Sequence, residues 1–236
     1  MIDWHSHVLP AMDDGSRNVD ESIRMLEAMK EQGVDIVIAT PHFYANENSV
    51  DEFLERRKQS FEQLREKMGD GADIIRLGAE VRYYPGISRM DGLEKLVIEN
   101  TNLLLLEMPF TIWTKFVLQE LFELANLRGL KVIIAHIERY MMFQDKYTVA
   151  KLCENGLLMQ VNATFFQRFG SRTKAMRLLG EGFIHFVGSD CHNMTSRAPN
   201  VDSAYELIKR RFGEDYTAQM IEYGYSTLKK YEKKLS

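Results

Sequence analysis

Five of the six histidines in this chain fall directly behind short apolar runs, and acidic residues fall with them. His5 and His7 follow Ile2–Trp4, with Asp13 and Asp14 a little later. His42 closes "ATPH" behind Ile36–Thr40, and Glu80 closes "GAE" behind Ile74–Leu77. Glu107 ends the run Leu103–Leu106, and His136 and Arg139 lie in "AHIER" behind Val132–Ala135. Asn162 ends Leu158–Val161; Asp190, His192 and Arg197 follow Ile184–Val187. Imidazole and carboxylate together make a mixed N/O donor set suited to Zn, Mn or Fe rather than to Ca or a thiolate cluster. Residues two apart on a strand face the same side, so His5 with His7, or Asp190 with His192, can serve one ion or reach neighbouring ions. The candidate ligands His5, His7, Asp14, His42, Glu80, Glu107, His136, Asp190 and His192 are too many for a single four-coordinate site. A bridging carboxylate joining two or three ions accounts for the excess.

Each of these residues has an ordinary reading when taken alone. A lone histidine is more often a plain polar residue than a ligand, and Asp13 and Asp14 with Gly15 suit a turn. The joint placement behind successive runs is what favours a metal centre. His185, inside the seventh run, reads as structural.

The elements that must position these side chains alternate. Between most of the apolar runs lie stretches of helical period: Val19, Ile23, Leu26 and Met29; Leu54, Phe61, Leu64 and Met68; Leu118, Leu121, Phe122 and Ala125. Asn18 with Glu21 resembles a capping pair at the first of these helices, and Gly33 fits its end. Asn200 is expected to cap a helix through Ile208 that stops near Gly213. Strand–helix alternation repeated seven times predicts a parallel sheet covered by helices in one domain over residues 1–236. No Gly-x-Gly-x-x-Gly or P-loop follows the first run, which favours a closed barrel over a nucleotide-binding open sheet. In such a barrel, chemistry collects at the carboxyl ends of the strands, where these residues fall.

Composition narrows the function classes. A net charge of −4 gives no electrostatic case for nucleic acid or an anionic membrane. Two cysteines, Cys153 and Cys191, exclude a disulfide framework and fit a reducing compartment. No apolar run approaches a bilayer span, and the N-terminus lacks a signal pattern, so a cytoplasmic protein without membrane insertion is expected. The basic stretch Lys229 to Lys234 reads as a solvated helical tail.

The ordered set "DWHSH", "DDG", "TPH", "GAE", "LLLLE", "AHIERY" and "SDCHN" resembles the PHP (polymerase and histidinol phosphatase) superfamily. "HIERY" and "SDCHN" with Arg197 are similar, within it, to bacterial tyrosine phosphatases encoded with capsular and exopolysaccharide genes. The resemblance runs from His5 to Arg197 and implies a distorted (β/α)7 TIM-like barrel binding three divalent ions, manganese first, with iron or zinc as alternatives. It implies that His5, His7, Glu80 and Asp190 hold one ion. Glu80 would bridge to a second ion held by Glu107 and His136, and Asp14, His42 and His192 would hold a third. It also implies a phosphotyrosine protein substrate, a bacterial tyrosine kinase that regulates polysaccharide export. A small-molecule phosphatase of the histidinol-phosphate type is the alternative within the fold.

The chemistry expected of such a site is phosphomonoester hydrolysis. Divalent ions make hydroxide available near neutral pH and stabilise charge on phosphate oxygens. Guanidinium groups suit the remaining oxygens, and Arg139 and Arg197 are placed for that role. Asp190 or His192 is expected to protonate the leaving phenolate. Phe110, Trp113, Phe116, Phe165 and Phe166 could wall an aromatic ring, or serve packing or a subunit contact. "CHNMTSR" also matches the Cys-x5-Arg spacing of cysteine-dependent phosphatases. No glycine lies between Cys191 and Arg197 to let the loop curve round a phosphate, so this reading ranks below the metal one.

Overall fold

The computed structural model describes residues 1–233. Its strands are β1 (Ile2–Ser6), β2 (Ile36–Ala39), β3 (His42–Phe43), β4 (Ile75–Leu77), β5 (Glu80–Arg82), β6 (Leu103–Glu107), β7 (Lys131–Ile134), β8 (Leu158–Asn162) and β9 (Phe186–Gly188). Three form one sheet in the order β1-β2-β4, and six form another in the order β3-β5-β6-β7-β8-β9. Every strand pairing is parallel. Beyond β9, the Asp190 N–H donates to His5 O (2.8 Å) and the His7 N–H to Cys191 O (3.0 Å), joining the two sheets through β1.

Each of the seven expected runs contains a strand, but nine strands form because two runs are interrupted. The chain leaves β2 at Thr40–Pro41, where proline has no N–H for a ladder, and resumes as β3 in the other sheet. Likewise β4 stops at Gly78–Ala79 and resumes as β5. These two added strands carry His42 and Glu80.

The helices are α1 (Val19–Glu31), α2 (Val50–Met68), α3 (Lys115–Asn126), α4 (Lys146–Glu154), α5 (Thr164–Gln167), α6 (Phe169–Gly180), α7 (Val201–Phe212) and α8 (Glu214–Lys230). Asn18 caps α1 as its spacing predicts, accepting from the Glu21 N–H at 3.0 Å. Asn200 precedes α7 but makes no cap bond: its amide donates to Gln167 Oε1 instead, drawing α5 against α7. The basic tail departs from the expected helix as well. It leaves α8 after Lys230, and Glu232 bridges Thr101 antiparallel, while Lys234 lies outside the described residues.

Side chains alternate between two apolar layers. Ile2, Trp4, Ile38, Leu103, Leu105, Ile133, Ala135, Leu158 and Phe186 form an inner cluster fed by both sheets. Tyr225 and Leu228 of α8 pack against it, and Gly224 lies beside Trp4, where a Cβ would come within 3.3 Å of the indole nitrogen. Leu104, Leu106, Val132 and Ile134 point the other way, into the layer shared with the remaining helices. Continuing the inner parity toward the carboxyl ends gives Leu103–Leu105–Glu107, Leu158–Gln160–Asn162 and Phe186–Gly188–Asp190, so polar groups succeed apolar ones on the same face.

Just before β9, His185 accepts from the Met159 N–H through Nδ1 (3.1 Å) and tilts against Phe186 and Tyr223, away from the other five histidines. Burial, with Lys131 adding to it, pushes its pKa down to about 4. The unfolded chain therefore binds a proton between about pH 6.5 and 4 that the folded one refuses, and stability falls as pH falls through that window. His185→Gln keeps an acceptor for Met159 and removes the titration. Urea midpoints measured from pH 7 to pH 4 should fall less steeply in the variant; parallel curves would contradict the assignment.

Candidate metal centre

All nine sequence-nominated ligands converge at the carboxyl ends of the strands. Seven are buried, His42 is partly exposed, and Asp14 faces solvent. Glu80 lies at the middle. Its Oε2 stands 3.2 Å from His5 Nε2, 3.4 Å from His7 Nε2 and 3.0 Å from His42 Nδ1, and its Oε1 stands 2.8 Å from His136 Nε2. Glu107 Oε1 is 3.8 Å from His136 Nε2. Asp190 Oδ1 is 3.7 Å from His5 Nε2 and 3.5 Å from His7 Nε2. Asp14 Oδ1 is 3.3 Å from His192 Nε2 and 3.5 Å from His42 Nε2.

Backbone irregularities aim these groups. Strict alternation after the inward-facing Trp4 would turn His5 outward, but the β1–β2 register shifts between Asp3 and Ser6, and His5 and His7 both enter the cluster. His136 (φ 31°) and Asp190 (φ 53°) adopt left-handed conformations that cost a non-glycine residue about 1–3 kcal/mol each. Two glycines let the chain close on the histidines. A Cβ on Gly188 would lie 2.7 Å from the His5 Cβ, and one on Gly15 would lie 2.5 Å from the His7 Cβ.

Three groups of side chains could each gather round an ion: His7, Asp14, His42 and His192; His5, His7 and Asp190; and His42, Glu80 and Glu107. Within each, one potential ligand atom per residue lies within 4.8 Å of the others. The grouping differs in detail from the one the resemblance implies, since His42 joins Glu80 and Glu107. His136 sits beside that pair through its contact with Glu80. The donor chemistry fits divalent ions. Among the described residues, His42 Nδ1 and His192 Nε2 are buried close to the Glu80 and Asp14 carboxylates but not aligned to hydrogen-bond with them, and His5 Nε2 faces His7 Nε2 at 3.2 Å. Opposed ring nitrogens beside two carboxylates are what a shared cation would organise. Burial pushes the Glu80 carboxyl up, but the facing histidines, His5 first, outweigh it and hold it well below the usual range. Burial and then His7 push His192 down to about 4, leaving the neutral ring that a ligand must be.

Supporting contacts complete the site, and of the residues that make them the sequence had not nominated Gln160 or Arg82. Asp13 does start a turn, accepting from the Gly15 N–H (2.9 Å), but its Oδ2 also accepts from His7 Nδ1 (2.7 Å) and the His42 N–H (2.9 Å). That bond fixes the His7 tautomer with Nε2 turned to the cluster. Gln160 Oε1 accepts from the His136 N–H (2.7 Å) and lies 3.2 Å from His5 Nδ1. Asp190 Oδ2 accepts from Arg139 (2.5 Å) and Asn162 (2.7 Å), and its Oδ1 forms an ion pair with Arg197 (2.7 Å). Arg82 pairs with Glu107 Oε2 at 3.1 Å. The only sequence signal for Gln160 was its place in an apolar strand, two residues before Asn162.

The aromatic candidates divide. Trp113 and Phe166 are buried in the core, and Trp113 tilts against Tyr140. Phe110 and Phe116 are exposed, and Phe165 borders a cleft beside Arg139. The Cys-x5-Arg reading fails on geometry. Cys191 is fully buried, and burial raises its thiol pKa well above the ordinary value. The N–H groups of Thr195, Ser196 and Arg197 already donate to Asn193 Oδ1, so this loop cannot cradle a phosphate.

A family model described as capsular polysaccharide synthesis, CpsB/CapC, matches residues 1–227. The chain belongs to the CpsB/CapC family. Among its CpsB/CapC relatives is the tyrosine-protein phosphatase YwqE of Bacillus subtilis, 30% identical over 94% of this chain and 89% of that protein. The tyrosine-protein phosphatase CpsB of Streptococcus agalactiae is 31% identical over 97% of this chain and 98% of its own length. Crystal structures of YwqE and of CpsB from Streptococcus pneumoniae are described as those of unique metal-dependent tyrosine phosphatases. The solved chain superposes with a TM-score of 0.81 at 29% identity, covering 94% of this chain and 92% of that one. The resemblance read from the motifs is thereby borne out at the level of the family and the α/β fold.

Asp13→Asn should weaken binding of a divalent ion about 10- to 100-fold, because the orienting acceptor on His7 is lost. Calorimetric titration of stripped protein with Mn(II) or Zn(II) measures it, with circular dichroism to show that the fold persists. Unchanged affinity would remove Asp13 from the site.

Proposed function

We propose that the chain is a metal-dependent tyrosine-protein phosphatase that acts on phosphotyrosine of a bacterial tyrosine kinase controlling capsular or exopolysaccharide synthesis. One observation carries the reading. Arg139 and Arg197, each more than a third exposed, meet on the buried Asp190 at the mouth of a cluster of imidazoles and carboxylates. Two partly exposed guanidiniums held on one carboxylate bring bidentate donors together, which is the chemistry the free oxygens of a phosphoryl group call for.

In this reading three divalent ions, manganese or else iron or zinc, are held by His5, His7, Asp14, His42, Glu80, Glu107, His136, Asp190 and His192. Such ions supply Lewis acidity toward phosphate oxygens and lower the pKa of water at the site. The protein's own groups do the rest. Arg139 and Arg197 bind and orient the phosphoryl group, and Asp190 with Asn162 holds the two guanidiniums in register. Tyrosinate, whose conjugate acid has a pKa of about 10, asks little of a general acid. Asp14, 66% exposed, leaves the mouth open enough for a tyrosine borne on a protein.

The strands β2 with β3, and β4 with β5, count as two interrupted strands, so that nine make the seven positions of a (β/α)7 barrel in one domain. With two free cysteines, and no helix among the described residues long and apolar enough to cross a membrane, we place the protein in the cytoplasm.

Chelated protein should not hydrolyse a phosphotyrosine peptide and should regain turnover on addition of Mn(II), Fe(II) or Zn(II). Arg139→Ala should lower kcat/KM about 100- to 1000-fold, as loss of a preorganised charge-stabilising donor does. Cys191→Ser should retain most activity. Turnover of histidinol phosphate alone would move the function to small-molecule metabolism. A dead Cys191→Ser variant that still binds metal would overturn the metal-based reading.

A further inference from the structure

A cleft of about 530 Å³ opens directly beside the phosphate-facing groups. Arg139, Asn162, Thr164, Phe165, Arg168 and Ser171 line it, and of these Arg168 is exposed. Arg139 and Asn162 are the two residues that grip Asp190 Oδ2, so the cleft is continuous with the catalytic mouth.

Its charges are unevenly matched. The Arg139 charge is taken up by Asp190 and the neighbouring Glu138. Arg172, on the same turn, is committed to the carbonyls of Phe166 and Gln167. Arg168 sits in the bend between α5 and α6, is exposed, and its guanidinium makes no ion pair or hydrogen bond among the described residues. Its extended backbone (φ −70°, ψ 129°) sets it on the lip, and its carbonyl accepts from the Ser171 and Arg172 N–H groups, which anchors the bend. Glu138 also borders the cleft, but its Oε1 accepts from the Asn162 N–H and its Oε2 is shut off from solvent. A cation short of an anion, on a cleft that begins at the phosphate-facing Arg139, suits a substrate side-chain carboxylate. Phe165 supplies an apolar wall for the methylenes that carry it.

We infer that this cleft is a subsite for an acidic residue flanking the phosphotyrosine, with Arg168 as its specificity-determining side chain. The inference rests on the phosphatase reading and deepens it, because the metal cluster alone would accept any phosphotyrosine. An exposed Arg–carboxylate contact is weak, so the expected discrimination is modest, about three- to fivefold in kcat/KM.

Two phosphotyrosine peptides test it, one with glutamates flanking the phosphotyrosine on both sides and one with glutamines there. The readout is the ratio of their kcat/KM values within each metal-loaded variant, so that losses common to both peptides cancel. The wild type should favour the glutamate peptide about three- to fivefold, mainly through KM, and the preference should shrink at high salt. Arg168→Ala should bring the ratio to about one, and Arg168→Glu should invert it. A wild type with no preference, or an Arg168→Ala variant that keeps it, would overturn the subsite and leave the phosphatase reading standing. Failure of metal-loaded wild type to hydrolyse either peptide would bring down both.

Discussion

Four imidazoles converge on the carboxylate of Glu80, and that carboxylate is 1% exposed. An unpaired charge in such a place costs several kcal/mol, and removing one partner of a buried pair typically costs about 3–5 kcal/mol. The structure therefore has to bring opposite charge and ring nitrogens to Glu80 from several strands at once. It does so with β1, β3 and β7, which are far apart in sequence and adjacent only because parallel strands place their carboxyl ends together. The candidate metal centre is in this sense a consequence of strand register. Glu80 pairs with Leu105 of β6 and His42 with Glu80 across the β3–β5 ladder. A slip of one residue would turn each ligand to the opposite face.

The layering below explains how a polar cluster of this size is tolerated. Apolar side chains fill the inner space up to Leu105, Ala135, Leu158 and Phe186, with α8 packed at the far end. Polar residues begin one step further along the same strands. Asp13, Gln160 and Asn162 then pair with the outward atoms of the ligands, so the ring nitrogens and carboxylate oxygens that remain point inward. Local strain at His136 and Asp190 is spent where the chain must turn a side chain toward the cluster.

Much of this was legible in the sequence because the signals are local. An apolar run marks a strand, and the polar residue behind it marks the strand's carboxyl end, so all nine candidate ligands and both arginines could be nominated by position. Interrupted strands were not legible: β3 and β5 are only two and three residues long, too short to show a period. The inward turn of His5 depends on a register shift between strands that no single segment records. Asp13 was read as a turn residue, which it is; its bond to His7 joins groups that only the fold brings face to face. Asn200 has a good capping residue type but finds a stronger claim on its amide in Gln167. Trp113 and Phe166 could not be told from mouth-lining aromatics because burial is set by tertiary packing.

The measurement that bears most directly on this account is an anomalous difference map from crystals grown with Mn(II) and collected near its absorption edge. More than one peak should lie among His5, His7, Asp14, His42, Glu80, Glu107, His136, Asp190 and His192, with neighbouring ions about 3.5–4 Å apart across a shared carboxylate. No peak among these residues under saturating Mn(II), or peaks only elsewhere on the protein, would contradict it.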